Sequence, residues 1–318
     1  MLRPDSRIFI AGHNGLVGAA IVRRLEQAGF QNLVLRDRAE LDLMDTGAVN
    51  DFYNETRPAF VIDAAARVGG IFANNTYRAE FIHQNLCIQN NVIHGAWAHG
   101  VERLLFLGSS CIYPRDSEQP IREEYLLTGP LEETNQPYAV AKIAGVEMCR
   151  AYNSQYGTDF RTVMPTNLYG PGDNFDLKTA HVLPALIAKA DAARRDNADS
   201  MTVWGSGRPM RELLYVDDLA DACVFLLGRE HCPDLINVGS DEEVSIRELA
   251  ELVCEVVGFT GQLEFDISKP DGTPRKRLDC GKLAALGWRA ATDLREGIAL
   301  TYEWYLGHIK NDQPATNE

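Results

Sequence analysis

No run of about 18 consecutive apolar residues occurs in the 318-residue chain, so it offers no candidate bilayer-spanning helix. The opening residues, Met1 to Ser6, also lack the apolar stretch of a secretory signal, which makes a cytoplasmic setting the expectation. Paired cysteines are missing as well. The seven present (Cys87, Cys111, Cys149, Cys223, Cys232, Cys254 and Cys280) are scattered and odd in number, with no Cys-x-x-Cys spacing. Neither a disulfide framework nor a thiolate zinc site is expected, and no metal site is assigned. Positive charge is scarce: 31 Lys and Arg stand against 45 Asp and Glu, a net −14 with neutral His. Such a surface repels phosphate backbones and anionic lipid, so neither nucleic acid nor membrane is an expected partner. An anionic substrate would therefore need a local basic pocket inside an acidic shell.

What is present is ordinary for a globular chain, with 45% apolar and 24% charged residues and no internal repeat. The first part alternates short apolar runs with amphipathic stretches: Ile8 to Ala11 then Leu16 to Ala28, Leu33 to Leu35 then Thr46 to Glu55, Phe60 to Ala65 then Ala79 to His99. Leu104 to Leu107 follows, then a loop rich in Pro and Glu, a helix from Pro137 to Tyr156 and the run Arg161 to Met164. Apolar strands without strict alternation, each followed by a long helix, predict an α/β fold built on a doubly wound parallel sheet of Rossmann type. Beyond Pro165 the rhythm breaks at Gly170 to Asp173 and becomes a smaller mixed α/β lobe. It reads as a helix from His181 to about Arg195, strands at Val203-Trp204, Glu212 to Val216 and Ile236 to Val238, and helices at Asp218 to Leu227, Ile246 to Val257 and Leu294 to Leu306. The expected division is a dinucleotide domain at residues 1–175, with 212–240 packing back onto it, and a substrate domain at 176–211 and 241–318, ending in a polar tail after His308 that frays.

Gly12, Gly15 and Gly18 stand at the first strand-to-helix turn, in Ala11-Gly12-His13-Asn14-Gly15-Leu16-Val17-Gly18. Glycines there let the backbone approach a pyrophosphate, whose charge meets free N–H groups and the positive helix end. The second strand ends in Leu35-Arg36-Asp37-Arg38. An acid at that place holds a ribose 2′-hydroxyl and an arginine a 2′-phosphate. The two arginines favour NADP, with Arg38 as the contact and Arg36 in support, while Asp37 leaves NAD open; Asp42 and Leu43 fall where they would lie beside the adenine.

Tyr138 and Lys142 lie four apart on one helical face. A cation beside a phenol lowers its pKa, so the tyrosine is placed to protonate a carbonyl oxygen as a hydride arrives, and the lysine also to hold a nicotinamide ribose. Taken alone, the spacing equally describes a lysine stem lying along a half-buried tyrosine. Leu107-Gly108-Ser109-Ser110 ends the fourth strand at the carboxyl edge, where open sheets bind ligands, and brings the Ser109 hydroxyl to the same carbonyl.

The glycine turn, Ser109 and the Tyr138/Lys142 pair together resemble the nucleotide-sugar branch of the extended short-chain dehydrogenase/reductase superfamily. Within it the chain is similar to the GDP-L-fucose synthase family, the GDP-4-keto-6-deoxy-D-mannose 3,5-epimerase-4-reductases. That resemblance rests on Ala65 to Ile71, Leu107 to Pro114, Met164 to Pro171, Val203 to Gly207 and Ser268 to Lys276, which span nearly the whole chain. It implies a homodimeric enzyme that inverts C3 and C5 of a GDP-keto-sugar and then reduces C4 with NADPH.

Inverting a carbon next to a ketone requires one group to remove a proton and another to return it on the opposite face. Cys111, two residues after Ser109 and near Lys142, suits the base if its thiol pKa is depressed. His181, opening the helix after the Asp173 loop, suits the acid. A dehydratase of this branch carries an acid pair where this chain has Ser110-Cys111, so dehydration is disfavoured. The resemblance further implies cofactor contacts from Gly12, Asn14, Gly15, Leu16, Val17, Gly18, Arg38, Asp42, Leu43, Leu107, Gly108, Ser109, Tyr138, Lys142, Pro165, Asn167, Leu168 and His181. It implies substrate contacts from Ser109, Asn167, Lys189, Trp204, Arg211 and Asp271, with Lys189 and Arg211 on the diphosphate and Trp204 against a flat ring. Asn14 departs from the arginine often found there, which weakens the NADP preference without reversing it. Two alternatives stand beside this reading: an NAD-dependent nucleotide-sugar 4-epimerase and a non-catalytic NADP-sensing protein.

Overall fold

The computed structural model describes residues 2–177, 179–269 and 271–312; Pro270 of the Ser268 to Lys276 motif lies outside them. The first half is the expected series: β1 (Ile8–Ala11), α1 (Leu16–Gln27), β2 (Leu33–Val34), α2 (Thr46–Thr56), β3 (Phe60–Asp63), α3 (Ile71–Thr76), α4 (Arg78–Ala98), β4 (Arg103–Leu107), α5 (Gln136–Tyr156) and β5 (Phe160–Pro165). Then come β6 (Asn167–Tyr169), α6 (Val182–Arg195), β7 (Ser200–Trp204), β8 (Met210–Tyr215), α7 (Val216–Gly228) and β9 (Leu235–Val238). The chain closes with β10 (Glu243–Ser245), α8 (Ile246–Val257), β11 (Gln262–Asp266), β12 (Arg275–Lys276), α9 (Gly281–Ala285) and α10 (Leu294–Asp312). The tail beyond His308, expected to fray, continues as helix to Asp312, and residues 313–318 lie outside the described residues. Among the described residues no helix is long and apolar enough to cross a membrane.

The large sheet is six-stranded and parallel, in the order β2-β1-β3-β4-β5-β9. Its central strands are buried on both faces, which is why they read as unbroken apolar runs. One face carries α2, α4 and α5 over Phe9, Val61, Leu104 and Phe106; the other carries α1 and α7 over Ile8, Ile10, Ile62 and Leu105. Local chemistry sets the ends of these helices. Asp45 caps α2 by accepting from the Ala48 N–H at 3.0 Å, Pro137 sits in the first turn of α5, and Gly157 stops α5 in the left-handed conformation that glycine adopts without strain.

The chain order along the sheet reverses between β1 and β3, and ligands of open α/β sheets bind at the carboxyl ends beside such a reversal. Here the glycine turn after β1 presses on the end of β3. Gly12 has φ +78°, and a Cβ on it would come within 2.8 Å of the Ala65 backbone.

The smaller lobe has its own sheet, β10-β8-β12, with β6 also on β8 and a separate β7-β11 pair, around a core of Tyr169, Leu183, Ile187, Leu213, Leu249, Val253 and Ile298. Three crossings between lobes are short. Only Thr166 separates β5 from β6, nothing separates β8 from α7, and four residues join β9 to β10. The last crossing is pinned by the buried Glu212 carboxylate, which accepts from the Asp241 and Leu278 N–H groups at 3.0 and 2.9 Å. β8 therefore belongs to the small sheet, whereas α7 packs on the large one and β9 is its edge strand; Arg23 and Arg24 of α1 pair with Asp217 and Asp221 of α7.

Candidate active site

The glycine turn has the form expected of it. Gly15 precedes α1 without any side-chain cap, so the first N–H groups of the helix meet no capping side chain among the described residues. A Cβ on Gly18 would lie 2.1 Å from the Gly12 carbonyl oxygen, so glycine is required there for close helix-to-turn packing. Beside them the His13 Nδ1 is buried with no hydrogen-bond partner among the described residues. Asn14 is exposed.

At the end of the second strand the two arginines separate. Arg36 folds back, donating to the Leu35 carbonyl at 2.9 Å with its guanidinium 6.0 Å from the Phe52 ring, whereas the exposed Arg38 makes no hydrogen bond or ion pair with the described residues. Asp37 accepts from the Ala39 and Glu40 N–H groups, and Asp42 from that of Met44. One oxygen of the Asp37 carboxylate is thus taken by its own turn, whereas the Arg38 guanidinium is left open. Leu43 is held through its carbonyl by Asn91 at 2.9 Å.

β4 ends at Leu107, and a short 3₁₀ turn, Ser110–Ile112, follows at once, with the Ser109 Oγ accepting from the Cys111 N–H at 3.4 Å. Gly108 is packed so closely that a Cβ would sit 1.9 Å from the Met164 side chain. α5 brings Tyr138 and Lys142 to this strand end. Lys142 is not a snorkelling surface residue: it is 2% exposed, donates to the Leu107 carbonyl at 2.7 Å and lies 4.5 Å from the centre of the Phe106 ring. Tyr138 meets the edge of Phe81 at 6.4 Å between centroids.

Two electrostatic expectations are corrected. Burial, together with the charge of Cys111, pushes the Tyr138 phenol well above its ordinary range, so it is a neutral donor. The Cys111 thiol is raised, not depressed. Burial outweighs the opposing pull of Lys276, of the Ser109 hydrogen bond and of Lys142. His181 flanks the start of α6, and its imidazole is lowered first by the surrounding protein and then by Lys276. Lys142 is lowered by burial, against the support of Asp63 and Cys111, and Lys276 is lowered by burial too.

Lys276 is the residue the sequence reasoning missed. It comes from β12, paired in register with Arg211 of β8, and acts on both Cys111 and His181. Its signal was weak, because a two-residue strand shows no periodicity, although it closes a quoted motif. Five groups from four segments, Cys111, Tyr138 and Lys142 of α5, His181 and Lys276, thus converge beside Ser109.

The remaining candidates lie on the small-lobe side. The Asn167 amide donates to the Glu212 carbonyl at 2.9 Å, and Arg211 donates to the Met210 and Thr273 carbonyls, each at 2.7 Å. Trp204 is not core; it is 57% exposed, with the ammonium groups of Lys189 and Lys269 at 4.8 and 5.6 Å from its ring. Asp271 spends both oxygens on Ser206, at 2.6 and 2.8 Å, which fixes the tight turn after Trp204. Pro165 and Leu168 end β5 and occupy β6, beside the large sheet's carboxyl edge. A cavity of about 140 Å³ beyond β8 is lined by Arg211 but by no other candidate, so it is not this site.

Residues 8–239 match the NAD dependent epimerase/dehydratase family. The chain is 58% identical to GDP-L-fucose synthase 1 of Arabidopsis thaliana over 307 residues, covering 96% of this chain and 95% of that one. It is 54% identical over 309 residues to GDP-L-fucose synthase of Escherichia coli (strain K12), with 94% and 96% covered. Among solved structures, a GDP-L-fucose synthetase from Naegleria fowleri bound to NADP superposes with TM-score 0.90 at 30% identity, covering 98% of this chain and 97% of that one. With a family match across more than two thirds of its length and relatives above half identity end to end, the chain belongs to the NAD dependent epimerase/dehydratase family and, within it, to the GDP-L-fucose synthase family.

Proposed function

We propose that this chain converts GDP-4-keto-6-deoxy-D-mannose to GDP-L-fucose, inverting C3 and C5 and then reducing the C4 ketone at one site with NADPH. The observation that carries the reading is that Cys111 interacts with two sets of groups at once: Tyr138 and Lys142, suited to ketone reduction, and Lys276, which also acts on His181. A reductase alone has no use for the second set, and an epimerase that only returns its hydride has no use for a thiol and an imidazole.

The residues fit a dinucleotide. The uncapped start of α1 and the unpartnered His13 nitrogen leave polar groups for a pyrophosphate, and the free Arg38 is left for a 2′-phosphate. Gly12 and Asn14 to Gly18 would hold the pyrophosphate, and Lys142 the nicotinamide ribose. When bound, NADPH supplies a hydride to C4.

The chain's own groups handle the protons. Cys111 removes a proton beside the ketone and His181 returns one on the opposite face, while the Ser109 hydroxyl and Tyr138 phenol steady the enolate oxygen. With the thiol raised and the imidazole lowered, both are neutral at pH 7. The productive thiolate and imidazolium hold the same number of protons, so a single transfer within the site creates them. Lys276 favours the thiolate as it forms. Tyr138 later gives its proton to the C4 oxygen, and Lys142 stabilises the phenolate left behind. Lys189 and Arg211 face the GDP diphosphate, Trp204 packs on a flat ring, and Asn167 and the Asp271-pinned turn shape the sugar end. The dinucleotide lobe is residues 1–175 with the segment returning from α7, and the protein works as a homodimer, which light scattering checks.

Mixing the protein with GDP-4-keto-6-deoxy-D-mannose, and following nicotinamide absorbance while NMR identifies the sugar, tests the reading. NADPH oxidation with GDP-L-fucose formed is the expected result; a product inverted at neither C3 nor C5 overturns the double role.

A further inference from the structure

One buried acid has no part in this mechanism. Asp63 ends β3 at the middle of the large sheet and is 0% exposed. Its Oδ1 accepts from the Ala65 N–H at 3.2 Å, and its Oδ2 has no hydrogen-bond partner among the described residues. Across the β3–β4 ladder Asp63 stands opposite Phe106, the ring over which Lys142 reaches to the Leu107 carbonyl. Acid and ammonium therefore approach one phenyl ring. The other titratable groups that feel Asp63 are Tyr53 from α2 and Cys149 from α5, both pushed up mainly by burial and further by its charge; Lys142 is the one cation acting on it. Cys111 is the other group supporting the charge of Lys142. From α4, Gln89 donates to the Ala141 carbonyl at 2.6 Å but leaves its own Oε1 buried and unpartnered. The one side-chain hydrogen bond of Gln89 among the described residues goes to the backbone, and the free Asp63 oxygen receives none from it.

We propose that Asp63 is a positioning residue for the reduction step: its carboxylate, held beneath the sheet edge, is the counter-charge that keeps Lys142 an ammonium beside Tyr138. The reason is electrostatic. An ammonium taken out of water loses its proton readily unless a negative charge lies near, and a carboxylate so buried stays ionised only beside a cation. Each group thus sustains the charge of the other, and the pair extends the alkaline range over which Lys142 can steady the Tyr138 phenolate. This rests on the reading of Tyr138 and Lys142 as the reducing pair.

The test measures the two charges directly and the chemistry separately. Protein labelled with ¹³C at aspartate carboxyl and lysine ε carbons is titrated by NMR as wild type, Asp63→Asn, Asp63→Glu and Lys142→Met. Asp63→Asn lowers the Lys142 midpoint by about one to three pH units, and Lys142→Met raises that of Asp63 by a similar amount. Asp63→Glu restores the Lys142 midpoint toward wild type. The alkaline limb of keto-sugar reduction moves down with the Lys142 midpoint in Asp63→Asn. An unchanged Lys142 midpoint overturns the pairing. Midpoints that move while the alkaline limb stays overturn the positioning role. If Asp63→Asn does not fold, the Asp63 titration in Lys142→Met decides the pairing alone. Should the wild type fail to reduce the keto sugar, the proposed function falls, and the NMR midpoints still decide whether the two charges are coupled.

Discussion

Replacing Asp63 by Asn changes the pH dependence of stability by an amount the structure sets. Burial raises the Asp63 carboxyl from 3.8 to about 6, against the opposing pulls of Lys142 and of the Ala65 N–H. Between those values the native state binds more protons than the unfolded chain, so stability falls as pH rises through the window. A displacement of about two units corresponds to about 3 kcal/mol, at about 1.4 kcal/mol per unit. The amide of the Asp63→Asn variant has no proton to lose, so that variant gains about 2 to 3 kcal/mol relative to wild type on going from about pH 4 to about pH 7. For a chain of 318 residues that is a relative shift in melting temperature of roughly 3 to 5 °C. Asp173, raised to about 6 by its own burial, titrates in both proteins and cancels from the difference. Paired thermal unfolding followed by circular dichroism across this range measures it. Parallel curves for the two proteins would show that the carboxyl ionises as an ordinary surface acid, and the assignment of a buried carboxyl whose loss of water outweighs the pull of Lys142 would be wrong.

Exchange of the sugar C3 and C5 protons with solvent, measured by NMR without cofactor, follows a broad bell. Its acid limb lies below the ordinary imidazole value, because His181 is lowered and protonation of both groups removes the base; its alkaline limb lies above the ordinary thiol value, because Cys111 is raised. A narrow optimum centred on neutrality refutes that assignment. Tyr138→Phe lowers the rate of reduction by about 10² to 10⁴-fold while proton exchange continues, and loss of both together shows the steps are not separable. Arg38→Ala weakens NADPH by about ten- to a hundredfold and NADH by less than about threefold, measured by fluorescence titration; equal effects remove the arginine from the phosphate.

The fold was legible because its sheet is buried on both faces. Runs such as Phe60-Val61-Ile62 carry their own signature, and the helices between them are long enough to show periodicity. The glycine turn was legible for the same local reason, since Gly12 and Gly18 answer constraints within a few residues of each other, apart from the contact with Ala65. The electrostatics were not legible. A cation four residues from Tyr138 suggested a lowered phenol, but the cost of burying charge exceeds what that neighbour returns, and the same balance raises Cys111. Lys276 escaped because its strand is two residues long and reaches the site only through its pairing with Arg211. Asp63 did leave a trace, a single acid closing an otherwise apolar run in a central strand, which is worth questioning wherever it occurs.

The short crossings between the lobes bear on how the enzyme can move. Domain closure by bending needs a few residues free to take up large changes in φ and ψ. Here Thr166 alone stands between β5 and β6, β8 runs straight into α7, and Glu212 ties down the third crossing. None of these has slack to serve as a hinge. At these three points the lobes are joined closely, and Lys276 on one acts electrostatically on Cys111 on the other. Movement at these crossings is therefore left to side chains and small turns, and lengthening the crossings would blur the acid–base geometry that spans the lobes.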